Sequence, residues 1–358
     1  MPRPRQTRPR DTVPEPEVRS GNRVSHLRAD RARLGGERPA ELPIDPAWLP
    51  GVVVRAYGKF FDVRLRNEAR TLLSTTPGKL RRERRRTDLV AVGDRVWVSD
   101  VGEGEGQIEA IAPRERVLAR LARNTIDTEQ VILANPDQVL FVFSVREPEP
   151  HRRMLDRFLI MAESQSLPAI IGVNKIDLDI PGVDGGPSLA ERFFADYQAI
   201  YPVRYLSAVL ANGLDELRCD LAGKITVVAG PSGVGKSSLL NTLDPEGRRV
   251  VGEISSATGK GRHTTTATQL YKIAGDAETY VADTPGIRSI MFHGVPPELL
   301  PECFPEFRPY LGECHYPDCT HTHEPECAVR AAVDLGAVSR ERYESYVSLR
   351  RGEVVEIP

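Results

Sequence analysis

The sequence predicts an α/β protein in which a small β-barrel precedes a parallel sheet covered by helices. Two observations support this fold class. Short segments of alternating polarity begin near Gly51, whereas longer apolar strands alternate with helical segments from about Val117 onward. At 358 residues the chain is long enough for two or three domains, each with a core of its own.

The beginning of the chain has the composition of a disordered basic tail. Residues 1–45 are rich in Arg, Pro and Glu and almost free of aromatic side chains. Such a segment cannot bury enough apolar surface to offset the entropy lost on ordering. We therefore predict no folded structure before residue 46.

Arginines form two clusters, although the net charge of the chain is only −2. The clusters are Arg3, Arg5, Arg8 and Arg10, and then Arg81, Arg82, Arg84, Arg85 and Arg86. A polyanionic partner explains such clusters, and so does an ordinary solvated surface. The sequence alone does not choose between these two interpretations.

Strand periodicity follows the tail. Within residues 61–65, Phe, Val and Leu alternate with charged side chains, and further strands are predicted over 71–74, 94–99 and 107–111. About five short strands in about sixty residues suggest a small barrel of the OB type, a fold that often binds oligonucleotides. A β domain with only a structural role is the alternative.

A phosphate-binding loop is predicted in the middle of the chain. The apolar strand 225–229 leads into Gly230-Pro-Ser-Gly-Val-Gly-Lys-Ser-Ser238, and a helix follows. This fits the pattern G-x-x-x-x-G-K-[ST]. Glycines let backbone N–H groups converge on a phosphate, and the helix N-terminus adds its positive end. Lys236 would neutralise the β- and γ-phosphates, and the Ser237 hydroxyl would ligate Mg²⁺.

A base-recognition loop is predicted upstream of the phosphate loop. Buried strands over 138–144 and 168–173 flank a helix from His151 to Ser164, and the second strand ends in Asn174-Lys-Ile-Asp177. The Asp177 carboxylate can accept two hydrogen bonds from guanine, whereas adenine lacks this pair of donors. Ser207-Ala208 resembles the short loop that backs the guanine from the other side.

Two downstream segments carry the predicted switch residues. Asp283 would hold Mg²⁺ through water, the Gly286 N–H would sense the γ-phosphate, and Thr265 would complete the Mg²⁺ shell. The aliphatic Ile287 cannot hold the attacking water, so His263 is the predicted water-orienting residue. The alternative is that His263 is an exposed loop residue that touches RNA.

The predicted site residues form three groups. Catalytic roles fall to His263, Lys236 and Thr265, and Mg²⁺ ligation to Ser237, Thr265 and Asp283. The GTP-binding residues are Asn174, Lys175, Ile176, Asp177, Ser207, Ala208, Gly230, Pro231, Ser232, Gly233, Val234, Gly235, Lys236, Ser237, Ser238 and Gly286. Because the base loop precedes the phosphate loop, the reverse of the ordinary order, we predict a circularly permuted P-loop GTPase domain.

A metal site is predicted near the C-terminus. Cys314, Cys319, His321 and Cys327 offer three thiolates and one imidazole within a short polar span, which suits tetrahedral Zn²⁺. Two helices are predicted after it, over 328–335 and 340–351, with Gly336 as a stop and Ser339 as an N-cap. The remaining cysteines, Cys219 and Cys303, are expected in packing positions.

Cysteine use and hydropathy indicate a cytoplasmic protein. Five cysteines, three of them within residues 314–327, fit metal binding in a reducing compartment better than a disulfide framework. The longest apolar runs are too short to cross a bilayer. The N-terminus lacks the apolar core of a signal peptide.

With these motifs in this order, the chain resembles the ribosome small-subunit-dependent GTPase A (RsgA) family over residues from about 48 to 350. The resemblance implies GTP hydrolysis in late maturation of the small ribosomal subunit, rRNA binding, stimulation by the subunit and one structural Zn²⁺ beside Mg²⁺-GTP. We also expect a monomer with no membrane or DNA partner. Pro231 replaces a Gln found in many members, and Ile287 replaces a Phe.

The predicted domains are a tail over 1–45, an OB-fold RNA-binding domain over 46–115, the permuted GTPase domain over 116–290 and a helical zinc-binding domain over 291–358. Two other functions remain open. A permuted GTPase acting on the large subunit usually lacks both flanking domains. An RNA-binding scaffold would use GTP as a structural switch with little turnover. The aliphatic side chain of Ile287 is compatible with this function, because it cannot hydrogen-bond the attacking water.

Overall fold

The structure is a computed structural model that describes residues 44–66, 68–77, 90–121, 129–244, 268–273, 275, 278–283 and 295–352. The strands in this part of the chain are β1 Leu49–Tyr57, β2 Phe60–Leu65, β3 Thr71–Thr75, β4 Arg95–Gly102, β5 Glu105–Ile111, β6 Val117–Leu121, β7 Glu129–Ala134, β8 Gln138–Ser144, β9 Ala169–Asn174, β10 Val203–Tyr205, β11 Ile225–Ala229, β12 Gln269–Lys272 and β13 Tyr280–Asp283. The α-helices are α1 Arg152–Ser164, α2 Leu189–Gln198, α3 Leu214–Leu221, α4 Lys236–Leu243, α5 Ala328–Asp334 and α6 Arg340–Arg350. Several predictions lie outside the described residues: the tail up to residue 43, the arginines of 81–86, His263, Thr265, Gly286 and Ile287.

Strands β1 to β5 form a closed barrel. They follow the order β1-β2-β3-β5-β4, and β4 pairs back with β1. Neighbouring strands are antiparallel except β3 and β5, which are parallel. Alternate residues point inward because the side-chain period of a strand is two, so Val53, Val63, Leu72, Val98 and Ile108 are all fully buried. The predicted OB-like barrel is confirmed.

A hairpin of β6 and β7 follows the barrel and was not predicted from the sequence. The two strands are antiparallel and form a separate two-stranded sheet. The barrel contacts the hairpin at Gly93, whose φ is +88°. A Cβ at this position would lie 2.0 Å from the Ala134 carbonyl oxygen, so only glycine allows this close approach of the two backbones. Asn135 strengthens this contact, since its Nδ2 donates to the Gly93 carbonyl over 3.1 Å.

The central sheet has the strand order β10-β9-β8-β11-β13-β12. Its strands are parallel apart from β12, which runs antiparallel to β13. Every residue of β8, β9 and β11 is buried, because apolar clusters cover both faces of the sheet. The predicted alternation of parallel strands and helices is confirmed.

The barrel and the central sheet are continuous. Strand β1 pairs antiparallel with β12 at Arg55 and Gln269, so one eleven-stranded sheet runs through the described residues. This pairing brings the barrel to the strand next to β13. The sequence pattern contains no sign of it.

The C-terminal region packs two short 3-10 helices, Pro301–Cys303 and Pro305–Tyr310, against α5 and α6. Its core contains Phe304 and Phe307, whose stacked rings have centroids 4.9 Å apart. The predicted caps are confirmed: the Ser339 hydroxyl accepts from the Arg342 N–H at the start of α6, and Gly336, with φ +74°, follows the end of α5.

The two remaining cysteines differ in exposure. Cys303 is buried, as predicted, whereas Cys219 is exposed and that prediction is wrong. Buried Leu214, Leu217 and Leu221 define the inward face of α3, and Cys219 lies off this helical stripe. None of the described helices is both long enough and apolar enough for a membrane span.

Candidate GTP site and metal centre

The phosphate loop joins β11 to α4 in a conformation that requires glycine. Gly230 has φ +147°, and a Cβ there would approach the Val142 carbonyl oxygen to 2.1 Å. Gly235 has φ +89°, and a Cβ there would lie 2.5 Å from Asn174 Nδ2. The first and last glycines of the pattern therefore let the loop approach β8 and the base loop closely.

Lys236 and the two serines after it occupy the first turn of α4. Lys236 Nζ donates to the Gly230 carbonyl over 3.0 Å and to the Pro231 carbonyl over 2.5 Å, so its ammonium lies against the loop. Ser237 and Ser238 add hydroxyls at the helix N-terminus. Backbone amides, one ammonium and the helix end together can bind an anion such as a polyphosphate.

Asn174 connects three loops of the site. Its Nδ2 donates to the Val234 carbonyl of the phosphate loop over 2.9 Å, and its Oδ1 accepts from the Ala208 N–H over 3.2 Å. The side chain is almost fully buried, with 1% of the residue exposed. The amide thus fixes the predicted base loop, the phosphate loop and the Ser207-Ala208 loop relative to one another.

Ser207 orients the carboxylate that is predicted to recognise guanine. Its hydroxyl donates to Asp177 Oδ1 over 2.5 Å and accepts from the Leu210 N–H over 3.1 Å. Ser207 is fully buried and its backbone pairs with Asn212, whereas Asp177 is exposed. A rigid loop therefore holds a carboxylate that remains open to a ligand.

Two contacts at this site were missed by the sequence analysis. Lys175, with φ +62°, donates from Nζ to the Glu147 carbonyl in the loop after β8. The Thr242 hydroxyl of α4 donates to the Ala208 carbonyl over 3.1 Å. Glu147 and Thr242 lie outside the predicted motifs, and both contacts end on backbone carbonyls, which no sequence pattern specifies.

The predicted Mg²⁺ residues are partly described. Strand β13 lies beside β11, with Asp283 in register with Val228, two residues before Gly230. The backbone therefore brings Asp283 to the same edge of the sheet as Ser237. Serine and aspartate at these backbone positions are residue types that suit a hard, oxygen-seeking cation such as Mg²⁺.

The four predicted zinc ligands lie together in the C-terminal region. Their ligand atoms are all within 4.8 Å of one another. Cys314 Sγ lies 3.9 Å from Cys327 Sγ, and the two sulfurs lie 3.4 and 3.5 Å from His321 Nδ1. Tetrahedral Zn²⁺ places sulfur pairs about 3.8 Å apart and sulfur–nitrogen pairs about 3.6 Å apart. The cluster therefore fits one zinc ion, with Nδ1 as the histidine ligand.

Protonation of the cluster depends on its burial. Burial raises the pKa of the Cys319 thiol to about 12, raises the pKa of Cys327 and lowers the pKa of His321. Near neutral pH the Cys319 and Cys327 thiols therefore keep their protons unless a cation replaces them, and metal binding at this cluster must release protons.

Polar contacts hold the loop that carries these ligands. The Glu324 carboxylate accepts from the backbone N–H groups of Thr320, Thr322 and His323 over 2.8 to 3.2 Å. Burial opposes this charge, but the hydrogen bonds, led by those from Thr320, hold the pKa of Glu324 well below its usual range. Tyr346 donates from its hydroxyl to the Thr320 carbonyl over 2.6 Å. The cluster is thus shaped by α6 and by its own loop.

Arg342 links the metal-binding region to the central sheet. Its guanidinium is 1% exposed and donates to both Glu306 oxygens, over 2.7 and 3.1 Å, and to Asp156 on α1. It also lies over the Phe304 ring, 4.8 Å from the centroid. No pattern in the sequence indicates that this arginine of α6 is buried.

The strand–loop–helix phosphate site, and a base loop that precedes it in the chain, define a circularly permuted P-loop GTPase flanked by an OB-like barrel and a Cys₃His region. A family model described as RsgA GTPase matches residues 111–293. The chain belongs to this RsgA GTPase family.

Three comparisons illustrate the similarity. A protein of Gemmatimonas aurantiaca named "Small ribosomal subunit biogenesis GTPase RsgA" is 43% identical over 303 residues, which is 84% of this chain and 96% of that protein. The crystal structure of YjeQ from Thermotoga maritima matches 85% of this chain and 98% of its own, at 33% identity and a TM-score of 0.67. YloQ, titled a circularly permuted GTPase, matches 87% and 97%, at 27% identity and a TM-score of 0.64.

Proposed function

We propose that this chain hydrolyses GTP to GDP and phosphate during late maturation of the small ribosomal subunit, in the cytoplasm and as a monomer. The observation that carries the proposal is the Asn174 amide, which joins a phosphate loop and a guanine-type base loop into one site. The name of the Gemmatimonas relative supports the ribosomal part.

In the proposed site, each loop acts on a different part of the nucleotide. The amides of residues 230–235 and the Lys236 ammonium bind the phosphates, and Asp177, oriented by Ser207, accepts hydrogen bonds from guanine. Ser237, Thr265 and Asp283 would hold Mg²⁺, which supplies charge neutralisation on the phosphates when bound. Gly286 would contact the γ-phosphate.

A change at Asp177 tests the guanine assignment. Asp177→Asn keeps an oxygen that can accept the Ser207 hydrogen bond but places an amide donor against the guanine N1–H. We expect GTP affinity to fall about a hundredfold and xanthosine triphosphate affinity to rise, as measured by titration. Unchanged GTP binding would contradict the assignment.

We also propose one structural Zn²⁺ per chain, held by Cys314, Cys319, His321 and Cys327. The sulfur and nitrogen distances in the cluster support this metal. The ion would fix the loop on which α6 packs, and so the shape of the C-terminal surface. We propose that the tail, the barrel, the GTPase domain and the zinc-binding domain meet at about residues 45, 115 and 290.

We place rRNA on the barrel and the C-terminal region. The support is a closed barrel of a type that often binds oligonucleotides, and the arginine cluster over residues 81–86 in the segment after β3. Replacing these five arginines by Ala should weaken subunit binding and flatten its salt dependence. Equal affinity and an equal salt slope would make the cluster a plain solvated surface.

Hydrolysis is proposed to depend on the subunit. His263 would orient the attacking water, because no hydrogen-bonding side chain stands at Ile287. Turnover measured with purified small subunits should greatly exceed turnover of the protein alone or with large subunits. Stimulation by large subunits would favour the other permuted GTPase function, and low turnover under all conditions would favour the scaffold.

His263→Ala provides the matching variant. It should bind GTP and small subunits normally but lose most of the stimulated rate, because only the water-orienting imidazole is removed. If subunit binding falls while turnover per bound complex is retained, His263 is an RNA contact and the water is oriented elsewhere.

A further inference from the structure

The contact between the barrel and the central sheet depends on a few residues. The first half of β1, residues 49–52, pairs with β4, and a register shift between Val53 and Arg55 then interrupts the ladder with β2. Beyond this bulge Arg55 pairs with Gln269 of β12. A bulge bends and re-aims a strand, so β1 leaves one neighbour and meets another.

Side chains reinforce this single backbone pair. Arg55 donates from one guanidinium nitrogen to Gln269 Oε1 and from the other to the Tyr57 hydroxyl over 2.6 Å. The Tyr57 hydroxyl in turn donates to Asp62 Oδ2 over 2.9 Å. A chain of hydrogen bonds therefore extends from the β1–β2 end of the barrel to the first residue of β12.

Gln269 also has a neighbour on β13, which connects this contact to the nucleotide site. Strand β12 is antiparallel to β13, and Gln269 is in register with Asp283, the last residue of β13. On its other side β13 pairs with β11, whose Val228 is in register with Asp283 just before the phosphate loop. Arg55, Gln269 and Asp283 therefore form one row across three adjacent strands.

We propose that Arg55 and Gln269 are positioning residues for the Mg²⁺-dependent part of nucleotide binding. Their contact holds the beginning of β12 against the barrel, and β12 in turn fixes the end of β13 at Asp283. The barrel is then connected through β12 to Asp283, so a partner that moves the barrel changes the Mg²⁺-dependent affinity for the nucleotide. This inference rests on the proposed function, in which Asp283 belongs to the Mg²⁺ shell.

The test uses the full chain and a fluorescent GDP analogue. Its dissociation rate is measured over a Mg²⁺ titration and in EDTA, for the parent, Arg55→Ala, Gln269→Ala, the double variant and Arg55→Lys. Arg70→Ala is the matched control, because Arg70 is also a barrel arginine with a 2.7 Å ion pair, to Asp100, but contacts no strand of the central sheet in the described pairings.

We expect either single Ala variant to raise the Mg²⁺ concentration for half-maximal slowing of dissociation about fivefold, the net effect of one ordinary side-chain hydrogen bond. The double variant should add little, because both residues serve one contact. Arg55→Lys retains a donor, so its Mg²⁺ titration should lie close to that of the parent. The rates in EDTA and the response of Arg70→Ala should equal those of the parent.

Two results would overturn the inference. One is an unchanged Mg²⁺ titration in Arg55→Ala and Gln269→Ala. The other is an equal acceleration with and without Mg²⁺, which would indicate general loosening of the site.

Asp283→Ala separates this inference from the proposed function. If Asp283→Ala loses the Mg²⁺ response while the Arg55 and Gln269 variants behave like the parent, the Mg²⁺ assignment stands and the positioning role is wrong. If Asp283→Ala keeps the parent's Mg²⁺ response, the assignment of Asp283 is wrong and the positioning role fails with it. Thermal unfolding of each variant is measured in parallel, to distinguish a loss of this contact from unfolding of the chain.

Discussion

The ligand atoms of the C-terminal cluster come from one short loop, in which Cys314 and Cys327 are 13 residues apart. The nucleotide site is assembled from distant segments: Asn174 contacts Ala208, 34 residues downstream, and Val234, 60 residues downstream. The first site can be closed by an ion and local hydrogen bonds. The second site needs the whole parallel sheet, because only the sheet brings its loops to one edge.

This difference has an energetic consequence. Closing a short loop costs little chain entropy, so a metal ion can organise the Cys₃His loop nearly by itself. The GTP loops depend instead on the buried strands β8, β9 and β11. Damage to either region should therefore remain largely in that region. Arg342 is one buried connection between them, because it joins Glu306 of the C-terminal region to Asp156 of α1. Three predictions test this comparison.

The largest effect is expected from loss of the metal. Cys319→Ser removes one of four ligands, and structural zinc stabilises small zinc-binding peptides by about 10–16 kcal/mol. We expect zinc content, measured by elemental analysis, to fall from one per chain to near zero, and the region 295–352 to become sensitive to protease. GDP affinity should change little.

Cys219→Ser is the matched control, because Cys219 is an exposed cysteine outside the cluster. It should retain zinc and protease resistance. Full zinc content in Cys319→Ser would contradict the ligand assignment. A large loss of GDP affinity in that variant would contradict the independence of the two regions.

The next largest effect concerns the connection between the regions. Arg342→Met leaves the Glu306 and Asp156 carboxylates buried without their cation, and breaking such a pair costs about 3–5 kcal/mol. We expect the midpoint of urea unfolding to fall accordingly. Arg340→Ala is the control on the same helix, because its ion pair with Asp334 is exposed and should contribute little. Equal unfolding midpoints for Arg342→Met and Arg340→Ala would show that Arg342 does not stabilise the contact between the two regions.

The smallest effect is expected from the amide that joins the GTP loops. Asn174→Ala leaves the Val234 carbonyl and the Ala208 N–H without their partner, which should weaken GDP binding about tenfold, or about 1.4 kcal/mol. Zinc content should not change. Asn212→Ala is the control in a neighbouring loop, where the backbone makes the contact with Ser207. Unaltered GDP binding in Asn174→Ala would show that the sheet alone positions the loops.

The sequence by itself determined the elements whose pattern is local. The phosphate loop, the Asn174–Asp177 loop, the Cys₃His cluster and the main strands were all predicted, because each depends on residues close together in the chain. The caps of α5 and α6 were predicted for the same reason. Strand β1 and the β6–β7 hairpin were not identified, since neither has a strong pattern of alternating polarity.

The tertiary structure alone decided which distant residues meet. The burial of Arg342 between Glu306 and Asp156, the exposure of Cys219 and the pairing of Arg55 with Gln269 all depend on how elements pack. An arginine in a helical segment gives the same sequence pattern whether its guanidinium faces water or two carboxylates. Likewise, the sequence of an edge strand does not specify which strand will pair with it. These contacts follow from the complementarity of complete surfaces, which forms only after the chain has folded.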